Sequence, residues 1–312
     1  MSTETETGPD EAQTTAAVKR GAEAASPAQH AEHEIEWELE RHVYEPHRVG
    51  LPPIGPYVRE LWRRREFAYE LSRTKLQSQH FNTAFGKLWL VLNPMLLAGV
   101  YFILVDILRK GHSPPGFFAH LVAGIFAYYF VSGAVRDGVK SVVSGGRLVL
   151  NTAFPRALLP LSTVITSFRR FVPTFLIYIP IHLASGLPVG LVDLWVIPIV
   201  FCLALVAAGV SMFVAAMQVF FRDLKSFLPY VLRVWLYASP VLYYAEDVPD
   251  KYKPLLAINP IGALLSAWSD VLNAGQAPAT GDMLLGLAWG VVLFIGGALF
   301  FMSRERDFAV RL

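Results

Sequence analysis

Tyr57 to Leu108 reads YVRELWRRREFAYELSRTKLQSQHFNTAFGKLWLVLNPMLLAGVYFILVDIL, and the change of character part-way along it decides the fold. Drawn as a helix, Tyr57 to Phe81 places Val58, Leu61, Trp62, Ala68, Tyr69 and Leu76 on one side and Arg59, Arg63, Glu66, Glu70 and Arg73 on the other. That is an amphipathic, mostly basic helix suited to an anionic membrane surface, with Arg59, Trp62, Arg63, Tyr69 and Arg73 as its surface-binding residues. Leu88 to Leu108 follows almost at once, with Asn93 and Asp106 as its strongly polar interruptions, and is long enough to cross a bilayer core of roughly 30 Å. The chain lies along one membrane face and then enters it.

Working outward, composition points the same way. Of 312 residues, 54% are hydrophobic and 17% charged, against about 25% charged in an average soluble domain. The expected class is an all-α integral membrane protein. Formal net charge is +2, and the basic residues sit beside apolar runs where membrane topology accounts for them, so nucleic acid is not expected as a partner. The single cysteine, Cys202, excludes a disulfide framework and any paired-cysteine zinc site.

Upstream, residues 1–56 are rich in Glu, Ala, Thr and Pro, a composition that cannot offset its ordering entropy. They read as a largely disordered cytoplasmic extension with a short helix at Ile35 to Arg41, and no secretion signal is expected in them. The interfacial helix then occupies 57–86, a six-span domain 87–302, and a cytoplasmic tail 303–312. The spans fall at about 88–108, 117–135, 158–184, 193–221, 227–244 and 283–302. Lys and Arg concentrate at Arg59 to Lys87, at Arg136, Lys140, Arg147 and Arg156, at Arg222 and Lys225, and at Arg304, Arg306 and Arg311. The opposite connections carry Arg109, Lys110, Lys251 and Lys253, so both termini are expected on the cytoplasmic side. Leu255 to Leu272 is apolar, broken at Asn259-Pro260 and short for a crossing. A re-entrant helical hairpin and a surface-lying amphipathic helix both fit it.

No enzyme announces itself. Gly145-Gly146-Arg147 and Gly86-Lys87-Leu88 lack the G-x-x-x-x-G-K-[ST] spacing that wraps phosphates, and the histidines form no metal spacing. His182 reads as a hydrogen-bonded core histidine and Ser211 as a helix-packing residue. No metal site is expected, and no cofactor in this chain.

Phe85-Gly86-Lys87-Leu88-Trp89 with Leu92-Asn93-Pro94, then Phe154-Pro155-Arg156 before Leu159-Pro160-Leu161, then Phe221-Arg222-Asp223, Ser239-Pro240-Val241 and Asn259-Pro260, form an ordered set of short patterns. In order and separation the set resembles the membrane (permease) subunit of type-2 ATP-binding-cassette exporters of lipid-linked polysaccharides, a family that serves O-antigens, teichoic acids and mycobacterial galactan. The resemblance covers about 57–302. It implies a homodimer working with two copies of a separate nucleotide-binding subunit, which uses the ATP and magnesium, in the bacterial inner membrane. It also implies that the amphipathic helix and the loop after the second span meet that subunit. The alanine-rich composition tilts the choice of glycan toward galactan.

A lipid-pyrophosphate glycan needs cations near the cytoplasmic mouth and a sugar-tolerant surface beyond it. Arg169 and Arg170 lie in the third apolar segment, where a charge costs on the order of 3 kcal/mol at a helix centre. They are candidates for the substrate path, unless they snorkel at the interface. Tyr237, Tyr243 and Tyr244 are candidates for stacking on sugar rings, against the alternative of an aromatic belt. For coupling to the ATPase, the segment Gly145 to Arg156 offers apolar Leu148, Leu150 and Phe154 ringed by Arg147 and Arg156, with Pro155 stiffening the run into the third span. Two other function classes remain in play: a type-2 permease for a drug or small lipid, and a secondary transporter or membrane-embedded glycosyltransferase.

Overall fold

The computed structural model describes residues 51–79 and 88–312, which fall within one compact unit. Residues 1–50 of the N-terminal extension, where a short helix is expected, the end of the surface helix at Phe81 and the Phe85-Gly86-Lys87 triplet lie outside the described residues. Among the described residues there is no strand. Five helices are long and apolar enough to cross a membrane, and a sixth crossing is reached if one sharply bent helix pair is taken as a span.

The expected surface helix is two helices, α1 (Ile54–Arg63) and α2 (Arg65–Gln79), starting three residues early and broken at Arg64. Arg64 leaves the helical path and donates to the Ala153 carbonyl at 2.8 Å while its Nε pairs with Glu60. The break separates the expected apolar face into two. Tyr57, Leu61 and Leu71 pack inward and Ala68 is buried, whereas Val58, Trp62 and Tyr69 stay exposed.

After α3 (Trp89–Leu108), α4 (Phe117–Ser144) continues nine residues past its expected end, to 28 residues or about 42 Å. It is the buried axis of the bundle, packing against α6, α7, α3, α8 and α10 defined below. Arg136, Asp137 and Lys140, expected in a loop, therefore lie on a helix. A short helix, α5 (Gly146–Asn151), leads to α6 (Leu158–Ala184). A 3-10 turn at Leu191–Trp195 precedes α7 (Val196–Phe220).

The expected fifth span over 227–244 is not among the five long helices: α8 (Leu224–Tyr237) has 14 residues, about 21 Å, and stops at Tyr237, short of a crossing. Ser239-Pro240 explains the stop, because a proline disfavours the helical region for the residue before it. Residues 238–244 continue as turns with Ser239, Pro240 and Val241 buried, the condition under which irregular backbone is tolerated at membrane depth.

The hairpin expected at Leu255 to Leu272 is α9 (Lys253–Ile258) and α10 (Gly262–Ser269), the latter ending in a π-helical turn at Asp270–Ala274. The two arms bend by 110° at Asn259-Pro260. Asn259 fixes the bend: its Oδ1 accepts from Trp235 Nε1 at 2.7 Å and from the Ile261 amide at 3.2 Å, while its Nδ2 donates to the Ala238 carbonyl and to Ser239 Oγ. One side chain thus ties the broken end of α8 to the hairpin. α11 (Thr280–Arg304) packs along α7, and the expected tail is instead folded back: α12 (Phe308–Arg311) seats a fully buried Phe308 on Phe301.

Candidate substrate path and coupling surface

The two arginines part company. Successive helical residues point about 100° apart, so Arg169 reaches out to stack on Tyr69 of α2 at 4.8 Å, while Arg170 turns inward. There it meets Asp137 on α4, with Nη1 to Oδ2 at 3.0 Å, and the same oxygen lies 3.4 Å from Lys75 Nζ on α2. Burial lowers the affinity of the Lys75 ammonium for its proton, and Asp137 opposes that shift. Arg170 and Asp137 line a cleft of about 380 Å³ between α3, α4 and α6, and Lys75 touches it only through Asp137. Trp89, Tyr129 and Phe171 supply aromatic walls, Asn93 and Arg136 add polar lining, and Ser132, fully buried in the wall, has no partner for its hydroxyl. Two cations line the cleft against one carboxylate, with Lys75 reaching that carboxylate from α2, so the surroundings of the cleft are net positive.

The three tyrosines proposed for sugar stacking do not converge. Tyr237 is exposed and bonds Tyr101 of α3 through the hydroxyls at 3.2 Å. Tyr243 lines an open apolar groove of about 690 Å³ between α8 and α9, with Tyr230, Trp235 and Tyr252. Tyr244 turns into the core against His120 and Phe117, with ring centroids 4.2 and 5.8 Å away. Tyr244 is a packing residue, and Tyr237 and Tyr243 remain on surfaces. His182 bonds Tyr178 and the Pro188 carbonyl, both at 3.1 Å, and Ser211 packs closely on Gly138, as their types suggested.

The coupling segment needs a correction. Phe154 is not an outward knob, because its ring packs on Phe67 of α2 at 5.1 Å. Pro155 is buried, and Arg156 is held through Glu305, whose carboxylate accepts from the Arg156 amide at 2.6 Å and from the Tyr57 hydroxyl at 2.5 Å while the Arg156 guanidinium meets its carbonyl. Burial, and then the adjacent carboxylate, hold the Tyr57 phenol far above its usual range, so it stays a donor. Leu148 is half-buried. What faces outward from α5 is Arg147 and Leu150, the latter 57% exposed, with Val143 one turn before. Arg59 and Arg63 also face out, as does Trp62, over whose ring Arg65 lies at 5.0 Å.

Among the described residues no group of three or more His, Cys, Asp or Glu side chains is placed to hold a metal ion. The model of the ABC-2 type transporter family matches residues 69–272, from the middle of α2 to the hairpin. The chain belongs to that family. Curated ABC-2 relatives include two proteins named O-antigen export system permease protein RfbA. That of Klebsiella pneumoniae is 24% identical over 231 residues, 74% of this chain and 89% of the relative. That of Myxococcus xanthus is 28% identical over 258 residues, 81% of this chain and 97% of the relative. Each match takes in most of this ABC-2 type transporter and nearly the whole of the relative.

Sequence reading missed Lys75, Asp137 and Glu305, and found the break at Asn259 without the hydrogen bonds that fix it. A signal existed for Asp137, since an arginine within an apolar helix calls for a carboxylate partner. Ending the second span at 135 hid it.

Proposed function

We propose that this chain is the permease of an ATP-driven exporter that moves a lipid-pyrophosphate-linked polysaccharide, galactan or an O-antigen-like glycan, from the cytoplasmic to the outer side of the bacterial inner membrane. It works as a homodimer with two copies of a separate nucleotide-binding subunit, which binds the ATP and magnesium, and both termini face the cytoplasm. The observation that carries the reading is the cationic cleft. An ABC-2 bundle whose relatives are named for O-antigen export has Arg170 and Arg136 lining one cavity, with Lys75 reaching its Asp137 from α2, the chemistry a pyrophosphate head requires. Aromatic walls beside those cations suit the apolar and sugar parts of the same molecule. The exposed apolar and cationic residues of α5, with Arg59 and Arg63 of α1, form the face that meets the nucleotide-binding subunit, and exposed Trp62 beside Arg65 suits the membrane surface.

The test is Arg169→Gln with Arg170→Gln in the chain co-expressed with its ATPase. The complex should assemble while glycan export and substrate-stimulated ATP hydrolysis fall about tenfold or more, the scale of losing charge-assisted contacts. Normal glycan export by the double variant would mean that the arginines only anchor α6.

A further inference from the structure

The cations of the cleft already hold an anion. Asp137 Oδ2 takes both Arg170 at 3.0 Å and Lys75 at 3.4 Å. Beside this pair the cavity of about 380 Å³ is many times the roughly 30 Å³ that one liquid water occupies. In its wall the fully buried Ser132 hydroxyl makes no hydrogen bond, a standing cost that a ligand oxygen would remove. Exposed Arg136 and Lys140 on α4 leave the region cationic even with Asp137 in place.

We propose that Asp137 is an internal stand-in for the phosphate head of a lipid substrate: it holds Arg170 and Lys75 until the incoming head displaces it and takes both cations. The proposal rests on the exporter reading for the source of its ligand and adds the residue that regulates the site. A phosphate head offers several oxygens where the carboxylate uses one, so it serves the guanidinium, the ammonium and the Ser132 hydroxyl together. The exchange is self-limiting. A monoanion of low charge gains little over Asp137, whereas a diphosphate gains both charge and bonds, so the carboxylate raises the threshold for weakly charged lipids. The swap also reaches α2, because Lys75 is one of that helix's ties to α4, and Phe67 on α2 stacks on Phe154 beside the coupling helix.

The experiment uses the full chain with its ATPase in nanodiscs and titrates undecaprenyl diphosphate, with phosphatidylglycerol and inorganic diphosphate as the other probes. Asp137→Asn should bind undecaprenyl diphosphate about threefold to tenfold tighter than wild type and narrow its preference over phosphatidylglycerol, the range expected for removing a partly exposed competing ion pair. Arg170→Gln should weaken binding about tenfold. Unchanged or weaker binding by Asp137→Asn overturns the proposal, since a carboxylate that only neutralises buried cations leaves the site worse when removed. Inorganic diphosphate binding as tightly as the lipid overturns the lipid assignment. Spin labels at exposed positions 73 and 140 of an otherwise native chain give a measurement independent of that variant's folding. Undecaprenyl diphosphate should shift the α2–α4 distance distribution, and an unshifted distribution overturns the exchange at Lys75. A parallel glycan-export assay separates the two ideas. A wild type that shows the exchange but exports no glycan defeats the exporter reading alone, and one that exports glycan without the exchange defeats the stand-in alone.

Discussion

The contact between α7 and α11 predicts a sharp difference between two adjacent glycines. A β-carbon on Gly297 would lie 2.1 Å from the Gly209 carbonyl oxygen, and one on Gly209 would lie 2.2 Å from the Leu293 carbonyl oxygen. Both obstacles are helix backbone, which has no rotamer to yield. Ordinary contact begins near 3.4 Å, so Gly297→Ala forces the helices apart by about 1.3 Å along that line, and the side chains between them lose their contacts together. Overpacking of this kind costs about 1–3 kcal/mol, and the rigid obstacle places it near the top of that range. The alanine returns up to about 1 kcal/mol of helix propensity, leaving a net loss of about 1–2 kcal/mol. Gly296→Ala, with nothing within 4 Å of its added carbon, should be neutral or gain up to about 1 kcal/mol. The difference between the variants, about 2–3 kcal/mol, isolates the helix contact from propensity. Reversible unfolding in mixed micelles measures both. A Gly297→Ala protein within about 0.5 kcal/mol of Gly296→Ala would refute the close approach.

Three further outcomes follow from particular contacts. A cysteine at His112 or Ala277 should react with an impermeant thiol reagent in intact cells and one at Ser144 should not; reversed labelling defeats the orientation read from the Lys and Arg distribution. Leu150→Asp should leave the permease inserted and thermally stable but cut ATPase co-purification about tenfold, because an exposed apolar residue ringed by charge is an interface anchor, and full co-purification moves the docking face elsewhere. Tyr57→Phe removes one hydrogen bond from the buried Glu305 carboxylate and should cost about 1.5–3 kcal/mol in unfolding without altering docking at Leu150; no loss means that water replaces the phenol.

How much of this was legible in the sequence varies with the range of the cause. The long apolar runs were, because span length and hydropathy are local: the first, third, fourth and sixth spans fall within a few residues of the helices observed. The break at Asn259-Pro260 was also legible, since proline acts on its own backbone. What was not legible depends on partners far along the chain. α4 runs to Ser144 because it is buried on nearly every side, so Arg136, Asp137 and Lys140 ride on a helix whose stability comes from packing rather than from their own composition. Phe154 looked like an outward knob only while Phe67, 87 residues earlier, was unplaced. The pairing of Arg156 with Glu305 joins residues 149 apart, and no periodicity encodes it.

Those long-range contacts change how a push from the ATPase side would travel. The sequence suggested a rod, with Pro155 and Pro160 stiffening the start of α6 so that the docked segment moves one helix. The structure instead interlocks three pieces at that point. Glu305 binds Tyr57 of α1 and Arg156 of the linker, Phe154 stacks on Phe67 of α2, and Arg64 caps the Ala153 carbonyl. Displacing α5 therefore loads α1, α2, the end of α11 and α6 together, because the contacts of Glu305 and Phe154 are close and half-buried and the exposed Arg64 contact is short. Further along, α2 touches α6 again where Arg169 stacks on Tyr69, and Lys75 reaches Asp137 one helical turn and a half beyond. The linker after α5 and the cationic cleft thus both touch α2, through Phe67 near its start and Lys75 near its end, so the proposed docking face and the proposed substrate path are joined by side chains already in contact.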